Sequence, residues 1–156
     1  KQESISRFVQ GYENLKEIAG DLELFVENNV FSSTNYKTYD RENIFMLTNY
    51  EEYNELKMKT DFNLLLDVAH LKVSTKTLNL SFVEQFNSMM KNTNYIHVSD
   101  NDALHDLNHK LKENSELVKM LRNQNLNNKD FTLEIYDTLD NIKKTYKIME
   151  AIINDK

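Results

Sequence analysis

An α/β fold, with about four parallel strands and helices packed outside them, is what the sequence predicts. Three observations carry it. Short apolar runs of strand length recur four times, segments of helical periodicity alternate with them, and each run ends near a single ionisable residue.

Residues 4–18 place Ile5, Phe8, Val9, Tyr12, Leu15 and Ile18 at three- and four-residue steps before Gly20, which predicts a helix and its stop. Leu22-Glu23-Leu24-Phe25-Val26-Glu27 then alternates apolar and charged positions and predicts the first strand. Residues 30–43 are polar and read as a long loop in which Tyr36 and Tyr39 cover an apolar edge. Asn49, followed three residues later by Glu52, is a helix-capping pattern for residues 49–59. The run at 62–68 is almost continuously apolar, as expected of a parallel strand covered on both faces. A helix over 80–90, a strand over 95–99 and a polar stretch over 100–112 follow. A helix over 115–123, a strand over 131–136 and a closing helix over 139–153 complete the chain, with Ile142, Tyr146, Met149 and Ile153 expected on one side of the last helix. Met89, Met90 and Met120 fall in helical patterns and read as core.

The 156 residues suffice for one domain with a buried core, and 40% hydrophobic with 28% charged residues argues against general disorder. Net charge −6 gives no global attraction to phosphate backbones or anionic lipids. The absence of cysteine removes disulfides, thiolate nucleophiles and sulfur-based zinc sites, and it agrees with a reducing compartment. No window approaches the ~20 apolar residues of a membrane span, so a cytoplasmic location is the expectation. With two glycines there is no phosphate-cradling glycine-rich loop. Only Arg7, Arg41 and Arg122 carry guanidinium groups, so Lys72, Lys76 or Lys110 would have to hold a phosphorylated substrate.

Glu27, Asp67, His97 and Glu134 each lie within or at the end of one predicted strand. Because side chains alternate along a strand, each shares a face with the residue two before it, and one face of the sheet is expected to gather three carboxylates and an imidazole. Such carboxylates repel one another and lose hydration unless a cation offsets both costs. Oxygen ligands with one imidazole suit Mn²⁺, Mg²⁺, Co²⁺ or Zn²⁺. His70 stands three residues past Asp67, where it is either a second ligand or a donor to a substrate oxygen. In the polar stretch Asp106 and His109 are candidates for a second metal site or a substrate clamp. His105 and His109 are four apart and would share a face if that stretch were helical.

The runs Leu64-Leu65-Leu66-Asp67-Val68-Ala69-His70, Tyr95-Ile96-His97-Val98-Ser99-Asp100-Asn101-Asp102 and Phe131-Thr132-Leu133-Glu134-Ile135-Tyr136 resemble parts of the xylose-isomerase-like barrel superfamily. Leu24-Phe25-Val26-Glu27-Asn28 is similar to its earlier glutamate-bearing strand. That group holds sugar isomerases and epimerases and the endonuclease IV type of DNA repair enzyme. The resemblance covers roughly residues 22–150. It implies a partial (β/α) TIM-type barrel in which Glu27, Asp67, His97 and Glu134 bind the metal, and Glu27 and Glu134 also act as the acid–base pair on a sugar-like substrate. It implies that His70 touches substrate in the epimerase branch or binds metal in the endonuclease branch. Asp106 and His109 are similar to that branch's later Asp-x-His pair, with one residue more between them. The arginine that the epimerases carry shortly after their histidine ligand is absent here. A full barrel has eight strand–helix units in about 250 residues, so four imply its carboxyl-terminal half, needing self-association or an amino-terminal half. The alternatives are a metal-dependent phosphodiesterase on abasic DNA and a non-catalytic half-barrel binding or assembly module.

Overall fold

The computed structural model describes residues 1–154. Its elements run α1 (Gln2–Ala19), β1 (Phe25–Glu27), α2 (Ser33–Thr38), α3 (Tyr50–Lys57), β2 (Asn63–Asp67), α4 (Val68–Thr77), α5 (Phe82–Met90), β3 (Thr93–Val98), α6 (Glu116–Arg122), β4 (Asp130–Leu133) and α7 (Leu139–Asn154). The strands form one parallel sheet in the order β1-β2-β3-β4, each bonded to its sequence neighbour, with the helices outside. This is the expected α/β architecture, and it matches part of a TIM-type barrel.

One face of the sheet carries Leu64, Leu66, Ile96 and Val98, all at most 1% exposed. Beneath it lie Leu71 of α4, Phe86, Met89 and Met90 of α5, and Leu117, Val118 and Leu121 of α6, which join those strand residues in a single core. The other face carries Phe25, Glu27, Leu65, Asp67, Tyr95, His97 and Thr132, and it is concave. Phe25 and Tyr95 sit two strands apart, which is ~9–10 Å in a flat sheet, yet their ring centroids are 5.4 Å from each other. The two rings lean toward each other across the intervening strand.

The strands are also staggered. Glu27 is level with Leu65, Leu65 with Tyr95, and Tyr95 with Asp130, so Glu134 lies four residues beyond the level of Glu27. A shift of ~13 Å across three strand spacings of ~14 Å inclines the line from Glu27 to Glu134 by roughly 40°. That is the angle at which a ring around a barrel crosses strands tilted by ~35–45°.

Two helices lie where none is expected. Residues 33–38 form α2, started by a capping box in which the Ser32 hydroxyl accepts from the Asn35 amide and Asn35 Oδ1 accepts from the Ser32 amide. The segment is too short and polar to show a periodic stripe. α4 begins directly after β2, and its Val68, Ala69, Leu71, Val73, Ser74 and Thr75 are all buried. A helix buried around most of its circumference has no amphipathic period to read. The stripes of the long helices also differ from expectation. α1 buries Ile5 and Tyr12 but leaves Leu15 and Ile18 exposed, and α7 buries Thr145, Met149 and Ile152 while Tyr146 and Ile153 face outward. Among the described residues no helix is long and apolar enough to cross a membrane.

At the base of the sheet Phe62 is 1% exposed and meets Phe8, Tyr12 and Tyr53 edge-on, joining α1 and α3 to β2. Phe62→Ala should therefore destabilise the chain by about 3–5 kcal/mol, read as a lowered urea midpoint with the slope unchanged.

Candidate metal centre

Four side chains converge above the carboxyl ends of the strands. Glu27 ends β1, Asp67 ends β2, His97 is the penultimate residue of β3, and Glu134 follows β4. One ligand atom from each lies within 4.8 Å of all the others. His97 Nδ1 is 2.9 Å from Glu134 Oε2 and 3.3 Å from Glu27 Oε1. Despite that closeness, His97 Nδ1, Glu134 Oε2 and Asp67 Oδ2 are buried without a hydrogen-bond partner among the described residues. His97 Nδ1 makes no hydrogen bond to either glutamate, and the ionised carboxylate oxygens have no proton to offer one another. Buried polar atoms left unpartnered and aimed at a common point are what a cation site presents when only its protein ligands are drawn. A small divalent ion fits this set of two glutamates, one aspartate and one imidazole.

Each ligand is set by its backbone. Asp67 is fully buried at the junction of β2 and α4. One carboxylate oxygen, Oδ1, accepts from the His70 amide at 2.8 Å and so caps α4, which leaves Oδ2 for the centre. Asn28 fixes the adjacent strand: its Oδ1 accepts from the Asp67 amide at 2.7 Å and its Nδ2 donates to the Asp67 carbonyl at 3.1 Å. The ladder continues past the strand ends through Asn28 N to Leu65 O and Glu134 N to Val98 O, which orders the backbone carrying Glu27 and Glu134. The Tyr95 ring packs edge-on against His97, 5.6 Å between centroids, and its hydroxyl meets Thr132 Oγ1 at 2.8 Å. Asn28 is absent from the sequence-level candidates, although it directly follows Glu27. An uncharged residue carries no chemical signal of its own.

Burial raises Asp67 to about 6, against the opposing charge of His70 and the His70 amide, with Glu27 and Glu134 adding to the rise. Burial pulls His70 down, but the charge of Asp67, the Asn28 carbonyl, Asp106 and Glu27 together outweigh it and leave His70 above its usual range. His70 is not one of the four clustered ligands; its Nδ1 is 3.0 Å from the Asn28 carbonyl and 3.8 Å from Glu27.

The segment 100–112 is irregular, so His105 and His109 share no helical face. Its feet are closed by Asp100 and His109, whose backbones exchange hydrogen bonds of 2.9 and 2.8 Å. His105 Nδ1 pairs locally with Asp102 at 2.8 Å, and its side chain with two backbone amides holds the Asp102 carboxyl well below its ordinary range. Asp106 Oδ1 is 3.5 Å from His70 Nε2. His109 stands with Asp106 along a cavity beside the centre and is outside the clustered four. Lys72 is committed to Asp100 and to the Asn101 carbonyl, and Lys110 donates to Asn141.

Compared with known proteins, the chain matches no family model, no curated protein and no solved structure. Fold and site together define the class, an α/β partial barrel with a candidate divalent-metal centre at the carboxyl ends of its strands.

A centre built of mutually repelling groups weakens the metal-free chain. Asp67 holds its proton more tightly folded, at about 6, than unfolded near 3.8. Its favourable contribution is complete below the unfolded value and is lost as pH rises through about 6. Asp67→Asn keeps an oxygen for the α4 cap and removes the charge. It should stabilise the metal-free chain at pH 7 by on the order of 1–3 kcal/mol, with the gain gone at pH 3.5 in matched urea titrations.

Proposed function

We propose that the chain is the ligand-bearing part of a cytoplasmic, divalent-metal-dependent isomerase or epimerase acting on a sugar or a related hydroxy-carbonyl compound. The observation that carries this reading is the convergence of Glu27, Asp67, His97 and Glu134 from four successive parallel strands, with three of the converging atoms buried and unpartnered. Mn²⁺, Mg²⁺, Co²⁺ or Zn²⁺ held there would supply Lewis-acid polarisation of a carbonyl oxygen.

The chain's own groups then divide the remaining work. Glu27 and Glu134 come from the first and last strands, so a small substrate lying over the centre has a carboxylate on either side. In that arrangement one removes the proton beside the carbonyl and the other returns a proton to the opposite face, each within hydrogen-bond reach of the atom it serves. Asp67, deepest of the four and tied into α4, anchors the ion and stays out of proton transfer. The Tyr95 edge keeps His97 aimed at the centre.

In this reading the half barrel works with four further strand–helix units, from a second copy or an amino-terminal half, that roof the concave face. Phosphodiester cleavage at abasic DNA is less well supported. Lys72 and Lys110, two of the three lysines considered for gripping a phosphate, are both engaged with other side chains.

Titration calorimetry with Mn²⁺ is expected to give close to one ion per chain and a raised melting temperature. Glu27→Ala combined with Asp67→Ala should abolish both. In ²H₂O the metal-loaded chain should exchange the hydrogen beside the carbonyl of a ketose, and Glu134→Gln should slow that exchange by at least about 10²-fold while still binding Mn²⁺. Binding of no ion by a folded chain would leave the non-catalytic assembly module as the better account.

A further inference from the structure

Two of the three carboxylates at the centre divide their oxygens in the same way. Asp67 Oδ1 accepts from the His70 amide at 2.8 Å, and Oδ2 is buried without a hydrogen-bond partner among the described residues. Glu134 Oε1 accepts from the Tyr136 hydroxyl at 3.2 Å, and Oε2 is buried without a partner among the same residues, 2.9 Å from His97 Nδ1. In each side chain a donor holds one oxygen and the other belongs to the centre. For Asp67 that donor is backbone, fixed by the start of α4. For Glu134 it is the phenol of a residue 80% exposed, so core packing does not put it there. Its backbone does. The Tyr136 amide donates to the Asn108 carbonyl at 3.1 Å, and the Glu134 amide to the Val98 carbonyl at 3.2 Å. Two apart along an extended chain, the two side chains share a face, and both line the cavity beside the centre.

The geometry points to Tyr136 as a positioning residue that restricts Glu134 to binding the ion through one oxygen. A carboxylate can hold a hard cation through one oxygen or through both. Chelation through both would swing Oε1 toward the ion and away from the phenol, and a hydrogen bond to an ionised acceptor opposes that swing. Water can also bond to Oε1, but only the phenol is kept in one place by its own backbone. The consequence is a count of open positions. With one atom from each of the four side chains, a six-coordinate Mn²⁺ keeps about two positions that no protein atom fills. A chelating Glu134 would close one of them. The inference rests on the metal reading of the centre, and it concerns how many positions the chain leaves open there.

The test titrates Mn²⁺ into the unsubstituted chain and into Tyr136→Phe. Affinity is read by calorimetry, and the waters on the bound ion by its enhancement of water-proton relaxation, which scales with their number. The substitution keeps the ring at an exposed position, so the variant should fold as the unsubstituted chain does. Its bound Mn²⁺ is expected to show a relaxation enhancement about twofold lower, because Oε1 displaces one of about two waters, with affinity unchanged or higher. A merely structural role for Tyr136 would instead weaken Mn²⁺ binding and leave the relaxation of each bound ion unaltered. That result, or a variant indistinguishable from the unsubstituted chain, overturns the role of Tyr136 and leaves the metal centre standing. A folded, unsubstituted chain that takes up no Mn²⁺ would sink the metal reading, and this inference with it.

Discussion

The carboxylate of Asp67 is the constraint on which the rest of the structure turns. It is fully buried, it ends the second strand, and one of its oxygens starts the helix that follows. A single residue thus sets where β2 stops, in which direction α4 leaves and how deep the centre lies. Asn28 extends the constraint sideways by bonding to both backbone groups of Asp67, which locks the relative height of β1 and β2. The other three ligands, Glu27, His97 and Glu134, reach the same point from the carboxyl ends of their own strands.

The centre is locally unfavourable, and the fold offsets it with ordinary packing. On one side of the sheet Leu64, Leu66, Ile96 and Val98 are sealed beneath helices. On the other, carboxylates crowd an imidazole with three buried atoms lacking partners. This division between a stabilising face and a costly face is common where a site demands an arrangement that folding alone would not select. It also explains why the polar side of each strand is concentrated near one end, where loops can reach it and helices do not cover it.

Much of this was legible in the sequence because parallel strands announce themselves as apolar runs, and one ionisable residue at the end of each run is conspicuous. Glu27, Asp67, His97 and Glu134 stood out for that reason, and alternation along the strands put them on one face. What stayed hidden has physical causes. α4 is buried on most sides, so no polar stripe marks it, and its first residue, Val68, reads as the tail of β2. Tyr146 and Ile153 fit the helical period of α7 as well as the residues that do face the core, and periodicity alone cannot choose between two adjacent stripes. Asn28 works through backbone bonds and carries no charge to draw notice. The segment 100–112 is shaped by the Asp100–His109 pairing and by turn chemistry, so the spacing of its histidines did not foretell their placement.

The double duty of Asp67 also bears on what a lineage of such chains would preserve. Helix capping alone restricts that position to a few short oxygen-bearing residues, whether or not an ion is ever bound. A descendant that had lost its chemistry would still be held to aspartate, asparagine, serine or threonine there. The side chains of Glu27 and Glu134 cap no helix, and drift at those two positions, with residue 67 unchanged, would be the first mark of a barrel that had given up its metal and kept its shape.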